Sequence, residues 1–128
     1  MRFAARKIRQ SKENAMKDYS AMSNDEISKE VGNHLGLEWA NLDENYNKLC
    51  HWNMAVGLSV FDPCKNIDDA WKIISENRIN VEWHEMKDDT FKPYALSNET
   101  MIGYYDNSAL RAAMIVFLMM KDRESSHV

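Results

Sequence analysis

The sequence predicts an α+β fold, a single domain in which a three-stranded antiparallel sheet has helices packed on one face. Three observations lead there. First, Ala112 to Met120 are apolar without interruption, and a helix apolar on every side must be enclosed by protein or lipid. At about 1.5 Å per residue that run spans roughly 14 Å, about half of a bilayer's hydrocarbon core, so it reads as the central helix of a protein interior. Second, residues 79–86 alternate apolar and polar, the mark of a half-buried strand. Third, two further short strand patterns follow across turn-length gaps, which implies an antiparallel meander. The order is a first helix, then α-β-β-β-α.

The elements follow in sequence. Residues 1–17 carry six basic groups against Glu13, a net +5, whereas the other 111 residues carry 10 basic and 19 acidic groups, a net −9. The lead segment therefore reads as a basic, flexible N-terminal extension, with residues 18–128 as the domain. Met16 is an alternative start for the protein. Ser23-Asn24-Asp25-Glu26 is a capping box, and Ile27, Val31 and Leu35 recur on one helical stripe. A helix over 24–35 follows, ended by Gly36 in the position after its cap. Residues 37–53 show no dominant period and read as a surface excursion with some helical turns. Val56, Leu58 and Val60 alternate within a short strand candidate from Met54 to Phe61, weakened by Gly57.

Phe61-Asp62-Pro63-Cys64-Lys65-Asn66 is turn chemistry, with Asn66 placed to cap what comes next. Ile67, Ala70, Trp71 and Ile74 then repeat at helical spacing over 67–77. On the strand at 79–86, Ile79, Val81 and Trp83 share one face, and Asn80, Glu82 and His84 the other. Pro93 confines the strand at 91–95 to a sheet edge or a bulge. A third strand runs from Thr100 to Tyr105, and Asp106 and Asn107 can cap the last helix, which frays beyond Glu124. Trp71, Trp83, Ile79, Val81, Met114, Phe117 and Leu118 are expected in one cluster. If so, Trp83→Ala costs roughly 3–5 kcal/mol.

Chemistry is sparse. Cys50, His51 and Cys64 lack the paired spacings and the fourth ligand of a structural zinc site, so no metal is expected. Glu82 and His84 on one strand face could form a carboxylate–imidazole pair of the kind that serves as a general base, but a solvated strand face is the better account of them. No G-x-S-x-G elbow and no glycine-rich phosphate loop is present. The chain is therefore expected not to be an enzyme and to need no cofactor. The α-β-β-β-α order is shared with double-stranded-RNA-binding domains, which need several cations at the start of the last helix. Here that position offers Arg111 alone, and an acidic body repels phosphate, so nucleic acid is disfavoured. A last helix apolar all round also raises a homodimer, which would cover any side left open.

Three stretches together resemble a known family. They are Met16-Lys-Asp-Tyr-Ser-Ala-Met-Ser-Asn-Asp-Glu-Ile, Phe61-Asp-Pro-Cys-Lys-Asn-Ile-Asp-Asp-Ala-Trp-Lys-Ile-Ile and Asn107-Ser-Ala-Leu-Arg-Ala-Ala-Met-Ile-Val-Phe-Leu-Met-Met. In this order they look like the NinX-like proteins of lambdoid phages and prophages. The resemblance implies an accessory protein of the phage, acting in the cytoplasm of the bacterial host, and carries over no functional residues. The expected function is a non-enzymatic protein–protein interaction module for a host or phage protein; the alternative is a nucleic-acid-binding module. The expected contact residues are the aromatics Trp39, Tyr46 and Trp52, with Arg111.

Overall fold

The computed structural model describes residues 17–41 and 48–126. A 3-10 turn at Tyr19–Ala21 leads into α1 (Asn24–His34), followed by a hairpin of β1 (Cys50–Asn53) and β2 (Gly57–Val60). Then come α2 (Ile67–Glu76), β3 (Ile79–Glu85), β4 (Phe91–Ser97), β5 (Ile102–Tyr105) and α3 (Ala109–Ser126). Strands β3-β4-β5 form one antiparallel sheet and β1-β2 a second, smaller one. The α+β class and the three-stranded sheet are those the sequence predicts.

The helix ends obey local chemistry. Ser23 Oγ accepts from Glu26 N–H at 3.1 Å while Glu26 Oε1 accepts from Ser23 N–H at 3.2 Å, a complete capping box. At the other end Gly36 takes φ +75°. Gly36 N–H donates to Asn33 O, and Leu37 N–H donates to Gly32 O, the bonding of a Schellman close. Asn66 Oδ1 caps α2 by accepting from Asp68 N–H at 2.8 Å. Ser108 caps α3 by accepting from Arg111 N–H at 3.3 Å.

The core forms around α3. Ala112 through Leu118 are buried without exception, because β4, β5, α1, α2 and β3 all pack on this helix. From Ala112 to Leu118 the run is thus covered within one chain, while Met119 and Met120 are partly buried. Ile27 and Val31 of α1, Ala70, Ile73 and Ile74 of α2, and Tyr19, Phe61, Cys64, Ile79 and Ala95 complete the cluster.

Four expectations need correction. Met54, Ala55 and Val56 form the turn of the hairpin, so strand β2 begins at Gly57, whose φ of +86° suits a turn exit. Within the stretch read as a surface excursion, Cys50–Asn53 is a strand, and Trp39 pairs with His51 in an isolated bridge. Pro93 lies in the central strand. Asp106 N–H donates to Pro93 O at 3.3 Å, just past the end of β5, so the missing proline N–H falls where that ladder stops. Trp71, Val81 and Trp83 are outside the core, at 61, 37 and 62 % exposure. Pro93 and Ala95, opposite Trp83 and Val81 on β4, are buried, so the cover reaches this level on the central strand but not on the edge strand β3, where only Ile79 of that face is buried.

Candidate interaction surface

The face of β3 that carries Ile79, Val81 and Trp83 is continued on β4 by Phe91, Pro93, Ala95 and Ser97, which stand opposite in register. On β4 this face is buried at Pro93, Ala95 and Ser97. Toward the hairpin tip it is open, with Trp83 and Phe91 both more than half exposed. Beside it lies a groove of about 810 Å³ between α2 and β3. Ile67, Trp71, Ile74, Ile79, Val81 and Leu110 line it, with Arg78 and Glu99 among its polar residues. Helical spacing explains the α2 wall: Ile67, Trp71 and Ile74 recur at four and three residues, and the stripe turns only Ile74 fully inward.

The hydrogen-bond phase of β3 is fixed by its turn. Met86 N–H donates to Thr90 O at 2.7 Å. Bonded pairs alternate along an antiparallel ladder, so Asn80, Glu82 and His84 exchange bonds with β4. Ile79, Val81, Trp83 and Glu85 then direct N–H and C=O away from it. β3 ends the sheet order, so among the described residues no strand takes these groups up.

A second apolar surface adjoins. Trp52, opposite Leu58 on the β1–β2 hairpin, is 54 % exposed, and Val60 is also exposed. Ile67 borders both the apolar groove and a more polar one of about 730 Å³ that reaches Val60 and Asp62.

The contact residues expected from sequence are scattered. Trp52 is open to solvent. Trp39 is half-buried, with Nε1 donating to Asn33 Oδ1 at 2.8 Å and its ring over Gly32, where an added Cβ would come within 2.3 Å of it. Tyr46 lies outside the described residues. Arg111 is turned inward. Its Nε donates to Asp106 Oδ2 at 3.1 Å, and its Nη atoms donate to Asn24 Oδ1, Tyr19 O and Met22 O. Sequence reasoning missed Trp71 and Trp83 because apolar periodicity reports which face a side chain takes, not how far the cover over that face extends.

The Glu82–His84 pair is present on the opposite face of the sheet. Nε2 of His84 is 3.6 Å from Glu82 Oε1, and Nδ1 shares a 2.6 Å hydrogen bond with Tyr105 Oη. Tyr94 packs on both His84 and Tyr105, with ring centroids at 4.8 and 4.3 Å. Tyr94 fits because Gly103 on β5 has no Cβ to meet its hydroxyl. This cluster ties three strands together through side chains. Both cysteines are buried free thiols, and burial pushes that of Cys64 up to about 11, so it stays protonated and unreactive at neutral pH. Among the described residues no three metal-ligating side chains gather.

Fold and surface together define a small α+β protein whose open edge strand borders an apolar groove. The family described as Bacteriophage P22, NinX matches residues 18–121. The chain belongs to this phage family, as the three stretches of sequence implied. No curated protein and no solved structure matches it. Among the described residues no helix is long and apolar enough to cross a membrane.

Proposed function

We propose that this phage protein is a non-enzymatic interaction module that docks a host or phage protein on the side of the sheet bearing Trp71 and Trp83. The observation that carries this reading is the exposure of Ile67, Trp71, Val81, Trp83 and Phe91 beside one groove. Exposed apolar groups on this scale are costly to leave in water and mark contact surfaces. Tryptophans at such positions supply large contact areas at small entropic cost. The nucleic-acid alternative draws less support, since Arg111, the cation at the start of the last helix, is engaged within the fold.

The test is affinity capture from phage-infected cells with the full chain and with a Trp71→Ser/Trp83→Ser variant of equal thermal stability. The expected result is a reproducible protein retained at least tenfold better by the parent. Equal capture by both chains, or recovery of nucleic acid lost steeply with salt, overturns the reading.

A further inference from the structure

We infer that β3 accepts an extended segment of the partner as an added strand, with apolar residues at alternate positions and basic residues between them. This rests on the interaction-module reading and assigns it a mode of binding. Val81 and Trp83 present outward N–H and C=O groups on a seven-residue strand that ends its sheet. Proteins ordinarily blunt such an edge with proline, a bulge, brevity, a covering element or charged side chains, lysine above all, and β3 carries no lysine. β3 contains no proline, and its seven residues pair with β4 one to one, without a bulge. The edge is therefore left as a template for strand addition.

The groove runs beside this edge. Asn80 and Val81 both line it, although their side chains point to opposite faces of the sheet. A groove bordered by both must follow the exposed main chain of the strand's edge. Its far wall is α2, with Trp71 and Ile67. A chain laid along β3 would thus bond to the backbone on one side and place every second side chain among Ile67, Trp71 and Val81. Its remaining side chains would stand beside Glu82, on the solvent face.

Charge selects the occupant. The strand itself carries Glu82 and Glu85 and no lysine or arginine, and in the groove the charge of Arg78 is offset by that of Glu99. Beyond residue 17 the chain has a net charge of −9, from 10 basic and 19 acidic groups. A second copy would set acid against acid at this edge, whereas a basic segment complements it.

The test uses two synthetic eight-residue peptides of identical composition, one alternating valine with arginine and one with the valines in a single block. Binding to the full chain is followed by amide spectra and amide hydrogen exchange. The expected result is binding at least tenfold tighter for the alternating peptide, with exchange at Val81 and Trp83 slowed at least tenfold. Val81→Pro removes one outward N–H that β4 does not use, so it should keep the fold and weaken that peptide at least tenfold. Trp71→Ser, on α2, tests the groove without touching the strand and should weaken it similarly. Equal binding of both peptides, no protection at Val81 and Trp83, or indifference to both substitutions overturns strand addition. Protection that grows with protein concentration in the absence of peptide overturns it in favour of self-pairing. A partner lost with Trp71 and Trp83 in the capture experiment, while these amides stay unprotected, would leave the module standing and remove only the added strand.

Discussion

At the scale of single residues, two side chains show how position overrides residue type. Arg111 looks like a surface cation in the sequence. In the fold its guanidinium is nearly buried, at 13 % side-chain exposure, and holds Asp106, Asn24 and two carbonyls of the 3-10 segment. Five fixed donors suit this fork, and no other residue type provides them. Arg111→Met leaves a partly buried carboxylate and two carbonyl acceptors without their donor. It should cost about 3–5 kcal/mol in denaturant unfolding, and Arg111→Lys should recover only part of that. A loss below about 1 kcal/mol would show the network to be loose. Gly103 is the second case. Its backbone is not in the left-handed region, so space and not conformational freedom demands glycine there. Gly103→Ala places a Cβ 1.8 Å from Tyr94 Oη. It should cost about 1–3 kcal/mol and shift the ring resonances of Tyr94, Tyr105 and His84 together. A shift confined to β5 would mean the three rings do not act as one cluster.

At the scale of elements, the sequence was most legible where one local rule decided the outcome. The capping box at Ser23, the Schellman close at Gly36, the Asn66 cap and the apolar run of α3 each predicted an element that is present. Legibility failed where the outcome depended on a neighbour. Trp39 and His51 pair across twelve residues, a bridge that no period within 37–53 can announce. Pro93 is tolerated in the central strand only because β5 stops beside it. The candidate site was the least legible part, since Trp71 and Trp83 have apolar patterning identical to that of core residues. What exposes them is the edge position of β3 and the open groove that separates it from α2. A direct comparison tests this account. Phe117→Ala, 2 % exposed at the centre of α3, should cost about 3–5 kcal/mol. Trp83→Ala, 62 % exposed on the same side of the sheet, should cost about 1 kcal/mol or less. Equal losses in thermal melts would mean that Trp83 is covered after all.

At the scale of the whole molecule, the N-terminal segment is clamped along the central helix at two places. Arg111 grips the carbonyls of Tyr19 and Met22, and the Tyr19 hydroxyl donates to Asp122, about three turns further along α3. Close by, Cys64 joins the 61–66 turn to α1, accepting from Ser28 Oγ at 3.8 Å and donating to Asn24 O. These joints make stability depend on pH on the alkaline side. Burial raises the Cys64 thiol to about 11, and burial with the Asp122 carboxylate raises the Tyr19 phenol above its ordinary range. Both groups are neutral when protonated, and the folded chain holds these protons more tightly than the unfolded chain. Their contribution is therefore complete below about pH 9, where the unfolded thiol begins to ionise, and is lost as pH rises toward the folded values. A shift of about two units in Cys64 corresponds to roughly 2–3 kcal/mol lost between pH 9 and 11. Thermal melts at pH 7, 9, 10 and 11 should show Tm level up to pH 9 and falling beyond it. Cys64→Ala should remove most of the fall between pH 9 and 10 and part of that between pH 10 and 11, leaving the share that sets in above pH 10, where the unfolded Tyr19 phenol ionises. A parent chain whose Tm holds steady to pH 11 would show that neither joint is sealed from water, and the clamp along α3 would have to be drawn more loosely.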